Sequence, residues 1–225
     1  MDYQQSWPNA QSQIEARVQF VRKVYLWLMA GFGVACAGAV ASPFVAQALI
    51  PVTGNFFIWA LFIAQMGAIF FARAVARKKP LNLLAYGVFT FVSGIIAGIL
   101  SMVVASHSGF GIVLAALGMT AAAFLTLTIV ALVSKKDFSF LGSFVMVGIA
   151  IMFFGSLIAA LFHLPTLSLI ASGAAVIACS AKVLWDTSAM LRTEDLSDPL
   201  FFALSLFVSL YNIFIALLNI LGRRR

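Results

Sequence analysis

Lys182 and Asp186 stand four residues apart inside an apolar stretch, residues 166–191. On a helix that spacing puts both side chains on one face, one turn apart. An isolated ionised group at membrane depth costs at least about 2.5–3.5 kcal/mol on insertion scales, and an opposite charge one turn away offsets part of it. Two chemistries fit the pair. It is either an ion or proton site, or polar lock, turned into a helix bundle, or two side chains reaching the interface beside Trp185. Ser209 and Asn212, three apart in a later stretch, make a polar face suited to hydrogen bonding between helices. Gln65 is a further polar residue in an apolar run. His107 and His163, at the ends of such runs, read as interface residues rather than ligands. Cys36 and Cys179 follow no metal or disulfide spacing and read as small buried hydrophobes.

Enzyme chemistry finds little purchase. There is no HExxH, no Cys–His cluster, no phosphate loop and no GxSxG. A serine site of the rhomboid type would want Ser and His in facing spans, and both histidines lie at the rims. A retinal Schiff base would want carboxylates on other helices than the lysine's own. The expectation is a non-enzyme with no cofactor and no metal.

The elements that must position these residues are membrane-spanning helices. Of 225 residues, 63% are hydrophobic and 9% charged, with a mean hydropathy of +1.08. Soluble domains carry about 25% charged residues, so this surface could not be kept in water. Seven apolar runs reach the roughly 20 residues that a span needs: residues 24–45, 55–72, 81–105, 110–134, 138–162, 166–191 and 200–222. Pro8, Pro51, Pro80, Pro165 and Pro199 fall outside them and Pro43 lies near the end of the first, as expected of a residue that breaks helix interiors. The period-2 alternation of barrel strands is missing. The chain reads as all-α and polytopic: a seven-helix domain over 24–222, a polar segment over 1–23 and a basic end over 223–225.

In the first segment, Ser12 and Glu15 have capping-box spacing, and Ile14, Val18 and Val21 share one face. This predicts a short amphipathic helix running into the first span. Ala39-Val40-Ala41 looks like a signal cleavage site, but the preceding apolar stretch is too long and its positive flank too far from Met1.

The cations assign the sides. Arg17, Arg22 and Lys23 precede the first span. Arg73, Arg77, Lys78 and Lys79 follow the second, Lys135 and Lys136 the fourth, and Arg192 the sixth; the alternate loops have none. That pattern places the amino terminus in the cytoplasm and, after seven spans, the carboxy terminus outside. Arg223, Arg224 and Arg225 run against it: either the early loops override a late cluster, or the last segment is re-entrant. The net charge of +7 is therefore topology rather than nucleic-acid binding.

Three stretches carry a family resemblance. They are Lys135-Lys136-Asp137-Phe138-Ser139-Phe140-Leu141-Gly142, the triplet Trp185-Asp186-Thr187, and Ser205-Leu206-Phe207-Val208-Ser209-Leu210-Tyr211-Asn212-Ile213-Phe214 with the Leu217-Leu218 and Ile220-Leu221-Gly222 that follow. They resemble the Bax inhibitor-like membrane family, most closely its bacterial inner-membrane YccA branch. The resemblance implies a seventh helix at the centre of the other six, with Asp186, Ser209 and Asn212 turned to the core. Channel-like members leak calcium in a proton-sensitive way through two aspartates on the last two helices. Here Asp186 matches the first, Ser209 stands at the second, and Gln65 stands where such members have a glutamate. YccA-branch members interact with the membrane-anchored protease FtsH and its HflK–HflC complex, restrain proteolysis, and offer a cytoplasmic tail to the protease. The resemblance implies a modulator of membrane-protein quality control, with residues 1–23 as that tail. The alternative it leaves open is a pH-sensitive calcium or cation leak with Asp186 as the titrating group.

Overall fold

The computed structural model describes residues 10–75, 78, 80–134, 136–193 and 195–223. All seven apolar runs are helices: α1 (Ala10–Thr53), α2 (Phe57–Ala74), α3 (Leu81–Ser108), α4 (Phe110–Ser134), α5 (Leu141–Leu161), α6 (Pro165–Arg192) and α7 (Pro199–Gly222), with a 3-10 turn at Gly54–Phe56 before α2. Among the described residues there is no strand. Six helices among the described residues are long and apolar enough to cross a membrane. The exception is α2, whose apolar part is Trp59–Ala74 and whose 18 residues span about 27 Å, slightly under a hydrocarbon core of about 30 Å. The chain is an all-α polytopic membrane protein.

The first helix departs most from expectation. The polar segment runs into the first span as expected, but the single helix has 44 residues, about 66 Å, and ends eight residues beyond the predicted limit at 45. It is already helical at Ala10, so Ser12 and Glu15 lie within its first turns rather than at a cap. Pro43 and Pro51 are both inside it, although Pro51 was expected to lie outside the run. Proline leaves the carbonyl four residues back without its N–H. At Pro43 that carbonyl is Ala39's, and the Ser42 hydroxyl donates to it at 2.7 Å. The fifth helix starts at Leu141 rather than at 138, because Asp137–Ser139 forms a turn. The Ser139 amide and hydroxyl donate to Asp137 Oδ1 at 2.9 and 2.6 Å.

α7 is the most deeply buried helix and packs against α1, α3, α4 and α6, which close a ring around it. The expected six neighbours are thus four among the described residues: α2 sits outside on α3 and α1, and α5 outside on α6. Phe207 marks the centre. Its ring meets Phe32 of α1 at 5.3 Å and Phe89 of α3 at 5.9 Å. The α1–α3 seam is closed by small residues: a Cβ at Gly38 would collide with the Phe91 carbonyl, at Gly94 with the Ala35 backbone, and at Gly98 with Ser42. Tyr86 Oη, from α3, donates to the Trp27 carbonyl across that seam at 2.9 Å. Of the cysteines, Cys179 is buried as expected, but Cys36 is exposed on the outer side of α1.

Candidate functional site

α6 and α7 run antiparallel, joined by a short loop. Asp186 lies six residues inside the end of α6, and Ser205 six residues inside the start of α7, both about 9 Å from their helix ends. The hairpin therefore sets them opposite each other. Lys182 Nζ donates to Asp186 Oδ1 at 2.9 Å and Oδ2 at 2.7 Å, and to Ser205 Oγ at 2.5 Å. Ser205 Oγ in turn donates to Asp186 Oδ2 at 2.8 Å. Three groups close a ring in which every ammonium hydrogen has an acceptor and both carboxylate oxygens have donors. The Lys182 and Asp186 side chains are each 12% exposed, which places the pair against α7 and not at the surface. Trp185 flanks it: Lys182 Nζ lies 5.9 Å from the indole centroid, and the same ring packs at Gly142 of α5.

The cost of burying two charges sets what such a site can do. Desolvation opposes burial, and attraction repays it only when the remaining donors and acceptors are satisfied. Here they are, so the ring is a closed, neutral crosslink between two helices, with no carboxylate oxygen left open.

The other expected site residues lie apart from it. Ser209 is fully buried one turn further along α7, but its hydroxyl donates to the Ser205 carbonyl at 3.1 Å. Asn212 Nδ2 donates to the Val208 carbonyl at 2.8 Å. Both bonds stay within α7. Gln65 Nε2 donates to Ser93 Oγ at 3.0 Å, tying α2 to α3.

The loop motif docks on the same end of α6, with Lys135 outside the described residues. The Phe138 amide donates to Ser188 Oγ at 3.4 Å, and Ser188 Oγ donates to the Lys136 carbonyl at 3.3 Å. Arg192 Nη1 lies 3.1 Å from Asp137 Oδ2. The Ser139 hydroxyl and amide, with Arg192 beside them, hold the exposed Asp137 carboxyl below the usual carboxylate range. Arg17 Nη1 of α1 donates to the Leu191 carbonyl at 2.7 Å. A cation at a helix carboxy end is favoured by the exposed carbonyls there. The tail, the loop motif and the charged ring thus converge on the last two turns of α6.

Sequence comparison bears on what such a bundle belongs to. The model of the family described as inhibitor of apoptosis-promoting Bax1 matches residues 17–225. The chain belongs to the Bax inhibitor family. It is 34% identical to a protein of Escherichia coli K12 named modulator of FtsH protease YccA, over 72% of this chain and 74% of that one. The same identity holds for the protein named inner membrane protein YccA in a second Escherichia coli strain. An uncharacterized protein of Campylobacter jejuni is 30% identical over 90% of this chain and 87% of its own.

This family member also holds a polar cluster that motif reading missed, at the far end of the same hairpin. Asn219 Nδ2 donates to Ser168 Oγ at 3.0 Å and Ser172 Oγ at 2.8 Å. Arg223 Nε donates to Asn219 Oδ1 at 2.9 Å, and its Nη1 to the Pro165 carbonyl at 2.7 Å. Ser205 was missed too, although it stands in the quoted ending. The signal that finds both is antiparallel register. Asp186 and Ser205 are equally distant from the middle of the α6–α7 loop, and so are Ser172 and Asn219.

Proposed function

We propose that this chain is a non-enzymatic modulator of membrane-protein quality control in the bacterial inner membrane. It engages an FtsH-type protease with its HflK–HflC partners and restrains their proteolysis. The likeness to the protein named modulator of FtsH protease supports this reading. The observation that carries it is the form of α1. Residues 13–19 are exposed, Ile14 and Val18 among them, on a helix that continues into the core at Phe20 and Val24. A pulling ATPase needs an accessible segment that is firmly joined to the rest of the chain, and this is one. The amino terminus is cytoplasmic in this reading, on the side of the protease's ATPase.

The test is turnover in native membranes. Deletion should stop at residue 16, because Arg17 holds α6 and Phe20 packs edge-on to Phe202 at 5.8 Å. The full chain should co-purify with the protease and be degraded by it; the shortened chain should fold and persist. Equal turnover of the two overturns the tail's role, and no co-purification overturns the partner. A calcium leak would need Asp186 to meet the ion. Lys182 and Ser205 occupy both of its oxygens, which supports the non-conducting reading. Liposomes holding the full chain should show no calcium flux between pH 5 and pH 8, and Asp186→Asn should not create one.

A further inference from the structure

Where α2 meets α3 and α6 meets α7, a cleft of about 750 Å³ opens between the two connections. That is within the roughly 300–1,000 Å³ of small-molecule sites. Its linings carry opposite charge. Arg73, in the last turn of α2, and Lys78 line it from the first connection. Asp195 and Asp198 line it from the second, and α7 adds Phe201 and Phe202. Among the described residues, the side chains of Arg73, Lys78 and Asp198 take part in no ion pair. Arg73 and Lys78 on one side and Asp198 on the other thus meet one cleft without pairing with each other.

Position narrows the ligand. Arg73 stands one residue before the end of the apolar stretch Trp59–Ala74, and α7 begins its own apolar stretch at Pro199. Phe201 is 53% exposed. The cleft therefore lies where hydrocarbon gives way to headgroups. A purely anionic headgroup would satisfy Arg73 and Lys78 and then face the unpaired Asp198. A headgroup with a phosphate and a primary ammonium a few bonds apart satisfies both linings. The guanidinium and ammonium take the phosphate oxygens, the Asp198 carboxylate takes the N–H donors, and the exposed phenyl ring suits the cation.

We propose that this cleft binds the phosphoethanolamine headgroup of a membrane lipid. The full chain, purified in mild detergent, is titrated with phosphatidylethanolamine or phosphatidylglycerol of identical acyl chains, and bound lipid is read by native mass spectrometry. Phosphatidylethanolamine should bind about tenfold more tightly, a difference of about 1.4 kcal/mol. Arg73→Gln and Asp198→Asn should each abolish that preference, and Lys136→Gln should leave it intact. Soluble phosphoethanolamine alone is the second arm. Thermal stabilisation by the lipid but not by the soluble compound at equal concentration assigns the site to lipid, and stabilisation by the soluble compound without lipid selectivity overturns that assignment. Equal binding of the two lipids overturns the proposal, as does selectivity that survives both substitutions. The unmodified chain's own selectivity decides the matter even where a variant does not fold.

Discussion

Helices α6 and α7 are tied together at two ends by different chemistry. Near their loop the tie is ionic: Lys182, Asp186 and Ser205, with each ion 12% exposed and with Asp186 and Ser205 about 9 Å from their helix ends. At the far end the tie is an amide on two hydroxyls, Asn219 on Ser168 and Ser172, with the exposed Arg223 closing over it. A neutral amide can be satisfied by hydroxyls alone, and losing one partner leaves only a modest deficit. A buried ion needs a counter-ion, and losing one partner strands the other. The two ties hold the same helix pair but should fail differently. The far tie also gives Arg223 a structural task, bonding the Pro165 carbonyl, whichever side of the membrane it faces.

Breaking the ionic tie on one side should have the largest effect. Asp186→Ala or Lys182→Ala leaves an unpaired buried charge and should cost about 3–5 kcal/mol, read as thermal unfolding in detergent. Ser205→Ala removes a bridging hydroxyl bonded to both ions but leaves the pair, and should cost about 1.5–3 kcal/mol. Asn219→Ala should cost about 0.6–1.7 kcal/mol, the range for hydrogen bonds between membrane helices. If Asn219→Ala proves as harmful as Asp186→Ala, charge is not what separates the two ends.

The smallest effect lies in the loop that docks beside the ionic tie. Asp137 has a lowered pKa in the folded chain, owed first to Ser139. A depressed carboxylate adds stability that is present above its unfolded pKa, about 3.9, and lost as pH falls through the lower folded value. The parent's melting temperature should therefore exceed that of Asp137→Asn slightly at neutral pH, and the two should converge below about pH 4.

The sequence made the helices legible because hydrocarbon demands long apolar runs. α4 matches its predicted limits, and α3, α6 and α7 lie within a few residues of theirs. Pro51 misled because a proline was read as a stop, whereas a long helix tolerates one on an exposed stretch. The Lys182–Asp186 contact was legible from spacing within one helix. Its third member was not, because Ser205 becomes a partner only through the register of the hairpin. The polar face of Ser209 and Asn212 was overread, since a serine or asparagine in a helix can satisfy itself on the carbonyl one turn back. Gln65 likewise found its partner, Ser93, on a neighbour that spacing alone does not name.

The charged ring of Lys182, Asp186 and Ser205 is a neutral crosslink between α6 and α7. The most direct measurement is a double-mutant cycle on Lys182→Met and Asp186→Leu, followed by unfolding in detergent. Each single variant should lose about 3–5 kcal/mol, and the double variant should return to within about 1.5 kcal/mol of the parent, because apolar side chains of similar volume can replace a buried pair. A double variant no more stable than the worse single variant would contradict the account.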